Sequence, residues 1–127
     1  MIDALFNSTN YVAAKRLLDA TVVRHEAIAA NLANLETPGY QRVDLSRSFQ
    51  EELRRAIASK NTSQIAALKP ALAPDPTALP NSRDGNTVNL EQELLELNQN
   101  ALVHAFQTQL ITSRLLRLKL AITGRPV

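Results

Sequence analysis

Apolar residues in the first third of the chain recur every three or four positions, which is the spacing of a helix with one buried face. The alternation of three and four is typical of coiled coils, and it runs through Tyr11, Ala14, Leu18, Thr21, His25, Ile28, Leu32 and Leu35. Proline disfavours helical backbone in the residue before it, and the glycine that follows permits a turn. We therefore predict a helix over residues 8–36 that ends at the turn Thr37-Pro38-Gly39-Tyr40.

A longer series of the same kind fills the last third of the chain, and it predicts the longest helix. Asp84-Gly85-Asn86 is a turn signal, and Asn89 with Gln92 three residues later has the spacing of a helix N-cap. The series consists of Leu90, Leu94, Leu97, Ala101, His104, Thr108, Ile111, Leu115, Leu118 and Ile122. A second row beside it, Leu95, Leu102 and Leu116 with Phe106 and Leu120, widens the apolar face. This helix should therefore contact more than one partner.

The segment between these helices, residues 37–83, has weaker signals. Ser48 and Glu51 have the spacing of a capping box, which predicts a short helix from about Ser48 to Ser59. From Lys60 to Arg83 the chain carries Pro70, Pro74, Pro76 and Pro80 among small and polar residues. This composition favours a flexible connection.

These elements predict one all-α domain over residues 1–127, divided into residues 8–36, 37–83 and 84–127. The long helices at the two ends should pair as an antiparallel coiled coil, because a connection of this length lets each cover the other's apolar stripe. Such a pair leaves apolar surface open to solvent. Exposed apolar stripes of that size are typical of interaction surfaces.

Polar residues on or beside the stripes are candidates for packing rather than chemistry. His25 and His104 each lie alone on a stripe, where packing in a helix seam or an interface is the more common role. Glu91, Glu93 and Glu96 are expected on the solvated face of their helix. Asn31 and Asn34 are expected to satisfy backbone groups, either at the helix end or across an interface.

Composition and charge remove several classes of function. The 127 residues carry a formal net charge of only +2, which does not favour a nucleic-acid-binding surface, and there is no cysteine for disulfides or thiolate metal sites. No apolar run is long enough to cross a membrane, and the first residues do not resemble a cleaved signal peptide. We predict no catalytic, metal-binding or cofactor-binding residue, and no enzymatic activity.

Two segments resemble a known family. Residues Ala29-Ala30-Asn31-Leu32-Ala33-Asn34-Leu35-Glu36-Thr37-Pro38-Gly39-Tyr40 are similar to the N-terminal signature of flagellar rod, hook and hook-associated axial proteins. The C-terminal part, from Asp84-Gly85-Asn86 to Gly124-Arg125, resembles the rod proteins of the proximal type. Residues 60–83 fall in the variable part of that family.

The resemblance implies a structural subunit of the proximal rod in the periplasm, exported unfolded by the flagellar type III apparatus without a cleaved signal. It also implies homo- and hetero-oligomers in a helical assembly, with other rod subunits, the ring-to-rod adaptor protein and the membrane-ring protein as partners. Neither nucleic acid nor membrane insertion is expected. The predicted assembly interface consists of Leu18, Ile28, Asn31, Leu32, Asn34, Leu35, Leu94, Leu97, Ile111, Leu115, Leu118 and Ile122.

Two other classes of protein compete with this interpretation. A soluble helical adaptor or export chaperone would be strongly helical as an isolated chain. A helical-bundle hydrolase or metal enzyme would need converging polar groups, which the stripes do not supply.

Overall fold

The first long helix begins with a side-chain cap. In the computed structural model, which describes residues 8–125, helix α1 spans Thr9–Ala33, and the Ser8 hydroxyl accepts a hydrogen bond from the Tyr11 amide at 3.3 Å. The helix ends three residues before the predicted end, with Asn34 as its C-cap. The Asn34 side-chain amide donates to the Ala30 carbonyl at 2.8 Å, and this bond serves a carbonyl in the last turn of the helix.

The middle of the chain folds into four short elements instead of one helix and a flexible connection. They are strand β1 (Val43–Leu45), helix α2 (Arg47–Ala58), helix α3 (Thr62–Ala67) and strand β2 (Leu72–Pro74). The strands pair antiparallel, with Val43 opposite Pro74 and Leu45 opposite Leu72. Proline is tolerated in β2 because a two-stranded sheet consists of edge strands only. The cap of α2 is Ser46, which accepts from the Phe49 amide at 3.2 Å, and not Ser48 as predicted.

The hydrophobic core lies between α1 and these middle elements. On α1 the core side contains two alanines seven residues apart, and these small side chains let α3 approach closely. The core residues are Ala13, Ala20, Phe49, Leu53, Ala56 and Ile65, with Val12, Leu17, Leu45, Ile57 and Leu68 packed around them. The segment that was expected to be flexible therefore contributes Ile65, which is fully buried.

Helix α4 spans Leu90–Thr123 and is the longest element. The predicted cap is confirmed, since the Asn89 side chain accepts from the Gln92 amide at 3.1 Å. Hydrogen bonds to α1 show that residue numbers rise along one helix as they fall along the other. Asn31 is bonded to Glu93, Thr21 to Asn100 and His104, and Ser8 to Arg114. The prediction of a mainly helical fold with long terminal helices is confirmed, whereas the small sheet was not predicted.

Candidate assembly surface and the junction that positions it

A buried ion cluster joins the start of α4 to the end of α1. Arg42, just before β1, is 2% exposed, and its Nε donates to the carboxylate of Glu93, which is fully buried. Its Nη1 donates to Asp75 at 2.9 Å and to Asp44 at 3.3 Å. One guanidinium thus binds carboxylates from α4, β1 and the residue after β2, and charged groups are tolerated at such burial only when they are paired in this way.

Asn31 extends this cluster to the backbone. Its side-chain amide donates to the Val43 carbonyl at 2.8 Å and to Glu93 at 3.2 Å, while its oxygen accepts from the Val43 amide at 2.9 Å. The Tyr40 hydroxyl also donates to this oxygen, at 3.4 Å. Asn31 therefore satisfies backbone groups within one chain. We call Asn31, Arg42, Asp44, Asp75 and Glu93 the junction.

The turn before α4 is bound to the turn after α1. The Asn86 side-chain amide lies within hydrogen-bonding distance of three carbonyls, those of Asn34 at 2.9 Å, Leu35 at 3.1 Å and Thr37 at 2.8 Å. Next to it, the Thr87 hydroxyl accepts from the Arg42 amide at 2.7 Å. The bonds of Asn86 give partners to carbonyls that follow the end of α1 and have no helical partner.

The pKa values of two junction residues, Arg42 and Asp75, are shifted towards their ionised forms. Burial alone would lower the pKa of Arg42, but the hydrogen bond and charge of Glu93, with those of Asp44, outweigh it and raise the pKa. Burial would raise the pKa of Asp75, yet hydrogen bonds from Thr77 and from Arg42 lower it. The pKa of Tyr40 is raised, first by burial and then by the negative charge of Glu93.

The face of α4 turned to α1 differs from the predicted stripe. It keeps the alternation of four and three residues and consists of Glu93, Leu97, Asn100, His104, Gln107, Ile111, Arg114 and Leu118. Every second position, from Glu93 and Asn100 onwards, is polar and lies one residue earlier than predicted. Among the residues of α4, only Glu93 and Asn100 are buried. The Asn100 amide donates to the Thr21 carbonyl at 2.8 Å. The prediction that Glu93 belongs to a solvated face was therefore wrong.

This rotation leaves a wide apolar surface of α4 in contact with solvent. Leu102 is 72% exposed and Phe106 is 67% exposed. Three further exposed leucines share this side of the helix, and we call the set the outer face: Leu95, Leu102, Phe106, Leu116 and Leu120. Large exposed apolar surfaces on a soluble chain are typical of protein interfaces.

Known proteins resemble the chain over most of its length. A family model described as "Flagella basal body rod protein" matches residues 12–41, which cover most of α1 and the turn after it. The flagellar basal body rod protein FlgB of Escherichia coli (strain K12) is 30% identical over 115 residues, 77% of this chain and 81% of that protein. FlgB of Cereibacter sphaeroides is 32% identical over 111 residues, 80% of this chain and 84% of its own.

This chain belongs to the FlgB family of flagellar basal body rod proteins. FlgB of Aquifex aeolicus (strain VF5), 28% identical, aligns with 95% of this chain and 97% of its own length. The chain is therefore a structural subunit of the flagellar basal body rod, and its relatives are structural proteins rather than enzymes. In the part of the chain that the structure describes, no helix is long and apolar enough to cross a membrane.

The residues predicted to form the assembly interface of this FlgB-family subunit fall into three groups by exposure. Ile28 and Asn31 are buried inside the chain. The partly buried residues are Leu18, Leu32, Asn34, Leu35, Leu97, Ile111 and Leu118. Leu94, Leu115 and Ile122 are exposed. Ile28 and Asn31 thus serve the single chain, and the exposed group is the most accessible to a neighbouring subunit.

The turn motif lies directly after α1. Thr37, Pro38 and Gly39 are exposed, whereas Tyr40 is partly buried. The Thr37 hydroxyl donates to the Asn34 side chain at 3.1 Å. The turn is therefore tied to the C-cap of the helix that it follows.

The two histidines differ in their surroundings. The Nδ1 of His104 lies 3.0 Å from the Thr21 hydroxyl, between α4 and α1, although the residue is exposed. His25 is also exposed. Neither histidine is buried within the chain, so an interface role for them stays a prediction.

Sequence reasoning missed Arg42 and Glu93, which hold the start of α4 in place. Their separation of 51 residues gives no local signal, and both residue types are normally solvated. One signal was present: Glu93 begins the row that continues through Asn100 and Gln107, a line of polar residues at seven-residue spacing on an otherwise apolar helix. Such a line is the pattern expected of a polar seam between two helices.

Proposed function

We propose that this subunit builds the proximal part of the rod and transmits motor torque through contacts made by its terminal helices. The observation that carries the proposal is the outer face of α4, which holds large apolar side chains that are exposed in the single chain. Covering that face with neighbouring subunits would remove apolar area from water, which is the main driving force of association. Closely packed helices around an axis would then form a stiff shaft.

The pairing of the terminal helices within one subunit is part of this proposal. We propose that α1 and α4 act as an antiparallel coiled coil, supported by contacts whose order reverses from Asn31–Glu93 to Ser8–Arg114. The proposed contacts between subunits include Leu18, Leu32, Leu35 and the exposed Leu94, Leu115 and Ile122. Other rod subunits, the ring-to-rod adaptor protein and the membrane-ring protein are the proposed partners, after export by the flagellar type III apparatus into the periplasm.

The far part of α4 should gain order during assembly. None of residues 101–123 is buried, so this stretch has little tertiary packing to stabilise its helix. Circular dichroism of the dilute chain, compared with the chain after association with other rod subunits, tests this step. Helicity should rise on association, whereas high helicity that does not depend on concentration in a monomer would favour a free-standing adaptor instead.

Substitutions on the outer face test the proposed function itself. Leu102→Gln with Phe106→Gln should leave the single chain folded, because both side chains are largely exposed, but should prevent incorporation into the rod and abolish motility. Thr112→Gln, at an exposed polar position of the same helix, is the matched control and should assemble normally. Normal rods built from the double variant would contradict the proposal.

A further inference from the structure

An open groove of about 470 Å³ lies between α2 and α4, with α1 as its floor. Its apolar wall on α2 consists of Phe49, Leu53 and Ile57, which are spaced four residues apart and so share one side of that helix. Leu17 and Ala20 of α1 lie at its floor, and Arg24 and Arg54 also line it. A helix with its side chains is about 10–12 Å across, so this groove suits one face of a helix rather than a whole one.

The rim of the groove carries a cation that nothing in residues 8–125 neutralises. Arg54 has no hydrogen-bond or ion-pair partner there, whereas Arg24, the other arginine of the lining, is paired with Asp44 at 3.0 Å and with Glu96 at 3.4 Å. An occupant of the groove should therefore combine an apolar stripe with a carboxylate beside it.

The first half of α4 has that combination on its exposed side. Glu91 is exposed, has no ion-pair partner in the described chain, and precedes Leu95 by four residues on the same side of the helix. Leu102 continues that side. The second half of α4 carries Arg114, Arg117 and Lys119, whose charges would be repelled by Arg54.

We propose that the groove of one subunit receives the Glu91–Leu95–Leu102 side of α4 from a second copy of this chain, with Glu91 facing Arg54. This inference rests on the proposed function and specifies which surfaces meet. The two surfaces are different parts of the molecule, so the contact is head-to-tail and leaves one groove and one α4 side free at the two ends. Contacts of this type extend into rings or open helical assemblies instead of stopping at a dimer.

Charge reversal tests the pairing in the full chain. Sedimentation velocity of the purified protein over a range of concentrations should show self-association, and Arg54→Glu or Glu91→Arg alone should weaken it about tenfold or more, because each places like charges together. An equal mixture of the two variant chains should recover association. In the mixture, a contact between unlike chains always joins opposite charges. It pairs either the unchanged Arg54 of one chain with the unchanged Glu91 of the other, or the two substituted positions, which then carry a carboxylate at 54 and a guanidinium at 91.

Matched controls separate this effect from a general change of charge. Lys119→Glu changes the net charge by the same amount as Arg54→Glu. Glu52→Arg likewise matches Glu91→Arg. Both control positions are exposed and lie outside the groove lining. Both should associate like the unmodified chain. Failure of the mixture to recover association, or equal weakening by the controls, would overturn the proposal.

Other outcomes distinguish this proposal from the proposed function. If Leu102→Gln with Phe106→Gln prevents rod incorporation while the charge reversals leave self-association unchanged, the rod function stands and the groove assignment is wrong. A pure chain that stays monomeric at all concentrations and associates only with a different rod protein would give the groove another occupant. That result also overturns the assignment to a second copy.

Discussion

The two sides of α1 are covered in opposite ways. On one side the alanine row packs on Phe49, Leu53 and Ile65 in an apolar core. On the other side α4 lies against α1 through a mixed face, in which polar residues alternate with Leu97, Ile111 and Leu118. The Asn100 amide is bonded to the Thr21 carbonyl there, and Glu93 accepts from Asn31. Apolar packing thus holds the middle elements on α1, whereas the long helix is also positioned by hydrogen bonds.

This difference has a consequence for assembly. Hydrogen bonds and ion pairs fix the direction and register of α4 because they require specific partners, whereas apolar contacts adapt more readily. Since polar groups occupy alternate positions of that contact, the residues of the outer face stay available for other subunits. A helix that contacted α1 through leucines at all of these positions would have less apolar surface to offer.

The largest expected effect compares one substitution on the two sides. Phe49→Ala removes a buried ring from the core and should lower the free energy of unfolding by about 4 kcal/mol. Phe106→Ala makes the same change on the outer face and should alter it by about 0.5 kcal/mol or less. Urea denaturation followed by circular dichroism measures both. Similar losses for the two variants would mean that the outer face is packed within the single chain.

The second effect tests whether polar groups hold α4. Glu93→Ala leaves Arg42 buried with Asp44 and Asp75 as its remaining carboxylates, so stability should fall by about 3 kcal/mol, the lower end of the range for breaking a buried ion pair. Glu91→Ala, two residues earlier and exposed, is the control and should change little. Hydrogen exchange should report faster opening of α4 in the first variant only. Unchanged protection would indicate that apolar contacts hold the helix.

Sequence periodicity predicted the existence of both long helices and the cap at Asn89, because these depend on neighbouring residues. It predicted Leu97, His104, Ile111 and Leu118 on the face of α4 turned to α1, but placed the alternate positions one residue too late, since the rule assumes that apolar residues are buried within their own chain. For an assembly subunit that assumption fails. The pairing of Arg42 with Glu93 and of β1 with β2 depends on residues far apart in the chain, and the prolines around β2 pointed away from regular structure.

Acidification should weaken the junction through Asp75. The pKa of Asp75 is lowered in the folded chain, because hydrogen bonds from Thr77 and Arg42 outweigh burial. Ionised Asp75 therefore contributes its full stabilisation when the pH is above the pKa of this group in the unfolded chain. That stabilisation is lost as the pH falls through the lower pKa of Asp75 in the folded chain. Asp75→Asn should cost about 2 kcal/mol at neutral pH, typical of a hydrogen bond to a charged group, and little at acidic pH. A loss that does not depend on pH between 7 and about 3 would contradict an ionic role.

The smallest effect compares two glycines with nearly the same backbone. Gly39 (φ 70°) lies in the turn between α1 and β1, and Gly124 (φ 64°) follows α4. An added Cβ would meet only ordinary contact at Gly39, 3.9 Å from the Asp84 carbonyl oxygen, and open space at Gly124. Alanine at either site therefore costs only the left-handed backbone, about 1 kcal/mol.

The same local cost should have different global consequences at these two glycines. Gly39→Ala should lower the stability of the whole chain by that amount, because the turn connects α1 to the junction. Gly124→Ala should only fray the end of α4, which is not packed on the core, and should leave the urea midpoint unchanged. Equal shifts of the urea midpoint in the two variants would mean that the end of α4 unfolds together with the core. In that case the contrast between the two sides of α1 would not extend to the end of the long helix.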